Sequence, residues 1–351
     1  MEDVMDKDII KKVKFSEIDI NDEFFKSLIS DYINFEKWFL KKYNEEAYIL
    51  KTNRGLQGFL YLKDEYDEDY SISPNFDKKR RLKIGTFKIN SHGTVLGQRF
   101  ISIILRKMVE EDFKEAYVTL FEKQDGLIKL FERFGFSYWG KKDNGELVYV
   151  RDDADKYDIY ENFPRIKTTN VRSYLLGIYP KYHTELFPDS RLCTEKNHII
   201  KDVSFTNTVE KVYLCNMSGI MNLKRNDLLL IYRTKEGEKQ GKFSSVATSI
   251  CTVVETKHIS SFSNYEDFMN YCGKGSIFSQ DDLKYFWSKR KYPYLIKMIY
   301  NLPLNKRIIR KNLIEKIGLR EKEYWGFFEI KQEQLRKILE MGEVNESFII
   351  D

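Results

Sequence analysis

The first half of the chain is patterned in short alternating runs and longer helical runs. Residues 9–20 alternate weakly and predict a first strand. Between residues 22 and 42, Phe24, Phe25, Leu28, Ile29, Ile33, Phe35, Trp38 and Phe39 recur near helical spacing, which predicts one or two helices. Ala47–Thr52 and Leu56–Lys63 are apolar runs separated by Asn53-Arg54-Gly55, the punctuation of a hairpin. Asp64–Lys79 is polar, acidic and contains Pro74, and it predicts a surface loop. Leu82–Asn90 alternates, with Gly85 inside it, a sign of a bulge or a close backbone approach. A Ser-His-Gly-Thr turn leads into a helix from about Leu96 to Glu111, with Leu96, Phe100, Ile103, Ile104 and Met108 on its buried stripe. Glu115–Phe121 predicts a strand and Gln124–Phe134 a helix, closed by Gly135 in the C-cap position. Phe136–Gly140 and Leu147–Arg151 flank an Asp143-Asn144-Gly145 turn. The order β-α-α-β-β-β-α-β-α-β-β predicts an α/β (α+β) domain, a mixed sheet with helices on its faces.

The second half reads differently. Val209–Asn216, Leu228–Thr234, Ser245–Glu255, Ile296–Asn301 and Phe327–Ile330 predict strands, and Asp281–Trp287, Lys311–Ile317 and Lys331–Met341 predict helices. Many strands with few helices suggest a small β-barrel-like domain. The charged stretch beginning at Arg151 marks a boundary. The expected organisation is a first domain over 1–151, a connecting region over 152–196 and a second domain over 197–351.

Composition narrows the function only in places. A length of 351 residues with 42% hydrophobic and 32% charged residues suits two globular cores. The aromatic share of 15% favours core filling over rows of stacking platforms. The net charge of +5 is too small to name a nucleic-acid binder unless it is localised. It is localised in one stretch. Between Asp281 and Lys322 there are 12 Lys or Arg against four acids, a net +8, interleaved with Tyr285, Trp287, Tyr292 and Tyr294. Lys289, Arg290, Lys291, Arg307, Arg310 and Lys311 are the candidate contacts to a nucleic-acid backbone, and the competing reading is a solvated basic face over core aromatics. The four cysteines and four histidines are scattered, without a CxxC pair. This predicts no structural metal and a reducing, cytoplasmic setting. No start segment resembles a signal peptide and no run approaches a membrane span.

The unit with chemical content is the strand Leu82–Asn90, the turn Ser91-His92-Gly93-Thr94-Val95, and the helix that Leu96, Gly97 and Gln98 enter. A helix N-terminus after a strand offers free N–H groups and the positive dipole end to an anion such as a pyrophosphate. Downstream lies Gln124-Asp125-Gly126, then Leu130-Phe131, then Gly135-Phe136. Together these resemble the GNAT superfamily of N-acetyltransferases, which shows R/Q-x-x-G-x-G/A entering the third helix and N-x-x-A-x-x-x-Y-x-x-x-G-F across the fourth helix and the next strand. The resemblance implies acetyl-CoA as cosubstrate. It places Gly97 on the last glycine of the pyrophosphate loop, Val95 on its middle glycine and His92 where Arg or Gln is usual. Gln124 stands where an Asn commonly contacts the CoA arm. Backbone groups of Phe87, Lys88 and Ile89 are placed at the acetyl carbonyl and pantetheine, in the slot opened by a splay after that strand. Phe131 falls on the tyrosine that often protonates the departing thiolate, so that general acid is missing. No general base stands out; Glu36, Glu65 and Tyr138 are weak candidates.

Leu223-Lys224-Arg225-Asn226-Asp227 followed by Leu228–Tyr232, and Trp325–Ile330, resemble diffusely the PUA-like barrels of the ASCH and EVE kind, which usually bind RNA or read a modified base. The combined resemblance implies an N-acetyltransferase whose amine is carried by an RNA, an aminoacyl-tRNA or a ribonucleoprotein held by the second domain. Such domains also occur as toxins of toxin–antitoxin modules. The alternative is an RNA-binding or regulatory protein with a decayed acetyltransferase domain. Acceptor, acid, base and oligomeric state are not legible.

Overall fold

The computed structural model describes residues 10–90, 96–187, 208–235, 244–273 and 276–351. It divides the chain into two compact units, Met1–Ala154 and Asp155–Asp351.

The first unit runs β1 (Ile10–Lys14), α1 (Lys26–Asp31), α2 (Phe35–Lys41), β2 (Glu46–Thr52), β3 (Gly55–Glu65), β4 (Ile72–Ser73), β5 (Arg81–Ile89), α3 (Leu96–Glu110), β6 (Glu115–Leu120), α4 (Asp125–Arg133), β7 (Ser137–Lys142) and β8 (Leu147–Asp152). The strands form one mixed sheet in the order β1-β2-β3-β5-β6-β8-β7-β4. β5 and β6 are parallel, and the other pairs are antiparallel. This is the mixed α/β architecture expected from the element order. The β2–β3 turn requires Gly55, whose φ of +87° few other residues adopt at low cost.

Strand alternation decides which helix packs where. Phe59 and Tyr61 of β3 join an aromatic cluster with Phe15, Phe25, Phe35 and Phe39, which seats α1 and α2. Gly58, one residue off that register, faces Phe100 of α3. A Cβ on Gly58 would lie 2.4 Å from that ring, so the missing side chain lets α3 approach the sheet. The high aromatic content is spent here on edge-to-face packing, such as Phe15 with Phe39 at 4.8 Å between centroids.

The second unit runs α5 (Ile159–Asn162), β9 (Ile166–Lys167), β10 (Ser173–Ile178), α6 (Pro180–Leu186), β11 (Glu210–Cys215), β12 (Leu228–Arg233), β13 (Val246–His258), α7 (Tyr265–Cys272), α8 (Gln280–Lys289), β14 (Tyr294–Ile309), α9 (Arg310–Glu315), β15 (Phe327–Ile330), α10 (Gln332–Met341) and β16 (Ile349–Ile350). Six strands form a sheet in the order β11-β14-β13-β12-β10-β15, with β9 and β16 paired apart. All six residues of β12 are buried, as expected of a central strand covered on both faces.

Two expectations change. Among the described residues the second sheet is not closed into a barrel, because β11 and β15 stand at its edges. The stretch 152–196 is also more than a connection. It supplies β10, which pairs in parallel with β12 and antiparallel with β15, so the second unit begins at Asp155.

Candidate active-site cleft

The registers of β5 and β6 create the main feature of the first unit. The two strands pair only where Leu82–Ile84 meet Ala116–Val118. β5 continues to Ile89 and stays paired with β3 on its other edge. From Gly85 onward, its β6-side edge therefore has no strand against it, and exposed main-chain groups there need partners. The gap opens into a cleft of about 530 Å³. Its walls are Gly85, Thr86 and Phe87 of β5, Thr119 and Leu120 of β6 with Phe121 beyond it, Gln124 before α4, and the α1–α2 corner from Asp31 to Phe35 with Trp38. Lys142, Asn144 and Glu146 close it from the β7–β8 hairpin.

Of the residues singled out from the sequence for the cosubstrate, Phe87 and Gln124 line this cleft. The Gln124 Oε1 accepts a hydrogen bond from the Phe121 N–H at 2.8 Å, which ties the end of β6 to the start of α4. Lys88 turns its side chain away, donating to the Phe24 carbonyl and to Ser27 Oγ, and burial depresses its ammonium below the usual lysine range. The Ile89 side chain borders Gly97. Leu96, Gly97 and Gln98 are buried at the start of α3. A Cβ on Gly97 would come within 2.6 Å of Leu130 Cδ2, so the missing side chain serves α3–α4 packing. Phe131 is fully buried between Phe87 and Phe136, with ring centroids at 5.8 and 4.9 Å. It is not among the cleft-lining residues. His92, Gly93, Thr94 and Val95 lie outside the described residues.

Several cleft residues carried no signal in the sequence. Tyr32 donates from its hydroxyl to Glu146 Oε1 at 2.7 Å. Burial first, and this carboxylate second, push the Tyr32 phenol far above its ordinary value, so it stays protonated and a donor. Asn144 Nδ2 donates to Glu146 Oε2 at 2.9 Å. Lys83 Nζ lies 3.4 Å from Glu65, and burial is the main cause lowering its ammonium. The three weak base candidates stand elsewhere. Glu36 is exposed. Glu65 is held by Tyr117, Lys63 and Lys83; burial pushes its carboxyl up, but these partners outweigh it and keep it below the usual range. Tyr138 is 53% exposed, against Tyr149.

The basic residues of the second unit form two groups at opposite ends of the 16-residue β14. Lys289, Arg290 and Lys291 are exposed just before it. Arg290 lies 4.0 Å over the Trp287 ring, and Lys291 lies 5.5 Å from the Tyr285 ring and 5.6 Å from the Tyr292 ring. Arg307, Arg310 and Lys311 stand at its far end. Arg310 covers Trp325 at 4.4 Å and donates to the Glu321 carbonyl at 3.2 Å, and Lys311 lies 3.9 Å from Glu315.

Both curated relatives and several of the solved structures that the chain is similar to are named as N-acetyltransferases. No protein-family model matches the chain. Over 92 residues it is 34% identical to the "Probable spermine N(1)-acetyltransferase" of Bacillus subtilis subsp. natto. It is 33% identical over 92 residues to the spermine/spermidine N(1)-acetyltransferase of Bacillus subtilis. Each match covers 25% of this chain and 56% of the relative, so the chain spans about half the length of the curated relatives it matches. Among solved structures, a ZmASCH mutant protein from Zymomonas mobilis is similar over 48% of this chain and 95% of its own, at 9% identity and a TM-score of 0.31. The Campylobacter jejuni N-acetyltransferase PseH in complex with acetyl coenzyme A is similar over 42% of this chain and 100% of its own, at 14% identity and a TM-score of 0.28. Among the described residues no helix is long and apolar enough to cross a membrane.

Proposed function

We propose that the first unit is an acyl-CoA-dependent N-acetyltransferase of the GNAT kind and that acetyl-CoA enters the β5–β6 cleft. The observation that carries this is the parting of two parallel strands after Ile84 and Val118. A pantetheine arm is an extended chain bearing two amides. It can pair with the open edge of β5 as a missing strand would, leaving the thioester between the strands. The start of α3 then offers N–H groups to the pyrophosphate. An amine bound in the cleft attacks the thioester carbonyl directly. The partial identity to proteins named as spermine and spermidine acetyltransferases supports an amine acceptor.

The test is calorimetric titration of the full chain with acetyl-CoA, followed by assay of CoA thiol release with a panel of primary amines. Binding at about micromolar Kd is expected, and Thr119→Trp, which fills the cleft from β6, should weaken it by at least ~10-fold. Binding without thiol release would favour the decayed, regulatory reading. No binding would refute the acetyl-CoA site and favour the reading of a decayed acetyltransferase domain.

A second reading concerns the second unit: it holds an RNA or ribonucleoprotein bearing the acceptor amine. The Lys289–Lys291 cluster favours it, because its cations stack on aromatic rings and Tyr285 is 46% exposed. Lys289→Glu/Arg290→Glu/Lys291→Glu should weaken tRNA binding and flatten its salt dependence by roughly two to three charges' worth of slope. An equal effect from Arg307→Glu/Arg310→Glu/Lys311→Glu would move the surface to the other end of β14.

A further inference from the structure

The cleft holds one carboxylate whose environment is unlike that of its neighbours. Glu146 is 5% exposed and lines the cleft. Its Oε1 accepts from the Tyr32 hydroxyl at 2.7 Å and its Oε2 from Asn144 Nδ2 at 2.9 Å. Both donors are neutral, and among the described residues no cation stands within ion-pair distance of it. The other carboxylates near the cleft are matched. Asp31 pairs with Lys123 at 2.6 Å, and Glu65 pairs with Lys63 at 2.9 Å and Lys83 at 3.4 Å. The cleft's own cations, Lys83 and Lys142, are turned to Glu65 and, at 3.6 Å, to Asp69. A buried carboxylate gains most from a cation that reaches it, because neutral donors compensate its lost hydration only in part. Beside it the α1–α2 corner offers Ile33, Phe35 and Trp38 to an apolar stem.

We infer that Glu146 is the seat of the acceptor amine: it binds the acceptor as an ammonium ion and takes the proton that frees its lone pair. Tyr32 and Asn144 are positioning residues, holding the two oxygens so that the carboxylate faces the cleft. This rests on the reading of the cleft as an acetyl-CoA site.

The proton count closes as follows. The ammonium gives one proton to Glu146, and the amine nitrogen attacks the thioester carbonyl carbon. The C–N bond forms, the C–S bond breaks as the adduct collapses, and the nitrogen loses a second proton. One of the two protons ends on the departing CoA thiolate and the other on water. The acceptor class is therefore an aliphatic primary amine with an apolar stem, charged at neutral pH. It is not an anionic or neutral-ring amine.

Glu146→Gln keeps an acceptor for Tyr32 and removes the charge. In the full chain it should leave the acetyl-CoA Kd within about twofold of wild type, while kcat/KM for amines, with spermidine and lysine as probes, falls ~100-fold or more. Added formate should restore part of the rate to Glu146→Ala but not to wild type, a readout that a purely structural role does not move. Tyr32→Phe, which leaves the carboxylate in place, should cost less than Glu146→Gln. The inference is overturned if Glu146→Gln keeps kcat/KM within ~3-fold of wild type, or if wild type binds acetyl-CoA yet acetylates no amine in the panel. Failure of wild type to bind acetyl-CoA would instead overturn the underlying reading, and this assignment with it.

Discussion

Phe131 offers a quantitative test of how the cleft is built. The resemblance to acetyltransferases puts a tyrosine at this position, and restoring that hydroxyl is the obvious attempt to raise the proposed activity. The structure argues the opposite. Phe131 is 0% exposed and is flanked edge-to-face by Phe87 at 5.8 Å and Phe136 at 4.9 Å, so a para hydroxyl would enter a wall of rings. Burying a hydroxyl without a partner costs about 1–3 kcal/mol. Spread over a unit of this size, that corresponds to a Tm lowered by roughly 2–12 °C. Phe131→Tyr should therefore melt earlier by calorimetry or circular dichroism and show no gain in kcat. A variant as stable as wild type with a several-fold faster thiol release would refute the packing argument and place residue 131 at the departing sulfur.

Other predictions bear on the second unit. His183 is fully buried with Nε2 2.8 Å from Thr248 Oγ1, and burial, followed by the charges of Arg233 and Arg307, pushes its imidazole down to about 3. The unfolded chain then binds a proton that the folded chain refuses. This term is fully present above a pH of about 6.5 and is lost as pH falls toward 3, by up to ~1.4 kcal/mol per pH unit. His183→Gln should flatten that slope in denaturant titrations, and an unchanged slope would mean that the imidazole charges in place. At Gly177, a Cβ would lie 2.3 Å from the Trp325 carbonyl oxygen, a main-chain atom that cannot swing aside as a side-chain end would. Gly177→Ala should separate β15 from β10 and cost ~2 kcal/mol or more, read as an earlier melting of the second unit; a neutral substitution would refute the pairing.

Much of the first unit was legible because its signals are local. The alternation of 82–90 and the helical stripe from Leu96 predicted β5 and α3 to within a residue, since both patterns are local. The parting of β5 from β6 was anticipated through the resemblance alone, because a register is a relation between strands and no run of residues encodes it. The Tyr32–Glu146 contact spans 114 positions, and Glu146 follows an Asp-Asn-Gly turn whose polarity reads as plain surface. In the second unit, β10 was hidden in what reads as a linker. The run is only six residues long and includes Ser173 and Gly177, which are weak strand signals, and pairing on both edges makes it a strand. β14 reads from the sequence as a six-residue run, Ile296–Asn301. Pro303 and the lysine at 306 break the apolar pattern there, yet the strand continues through register shifts opposite β13.

The central claim is that acetyl-CoA completes the open edge of β5. Hydrogen–deuterium exchange of the full chain, with and without acetyl-CoA, tests it most directly. The account predicts slower exchange on ligand addition at amides within Gly85–Ile89 and near Thr119–Gln124, with little change in β1 and β2. Binding that leaves these amides as fast as in the free protein would contradict it, as would protection confined to the second unit.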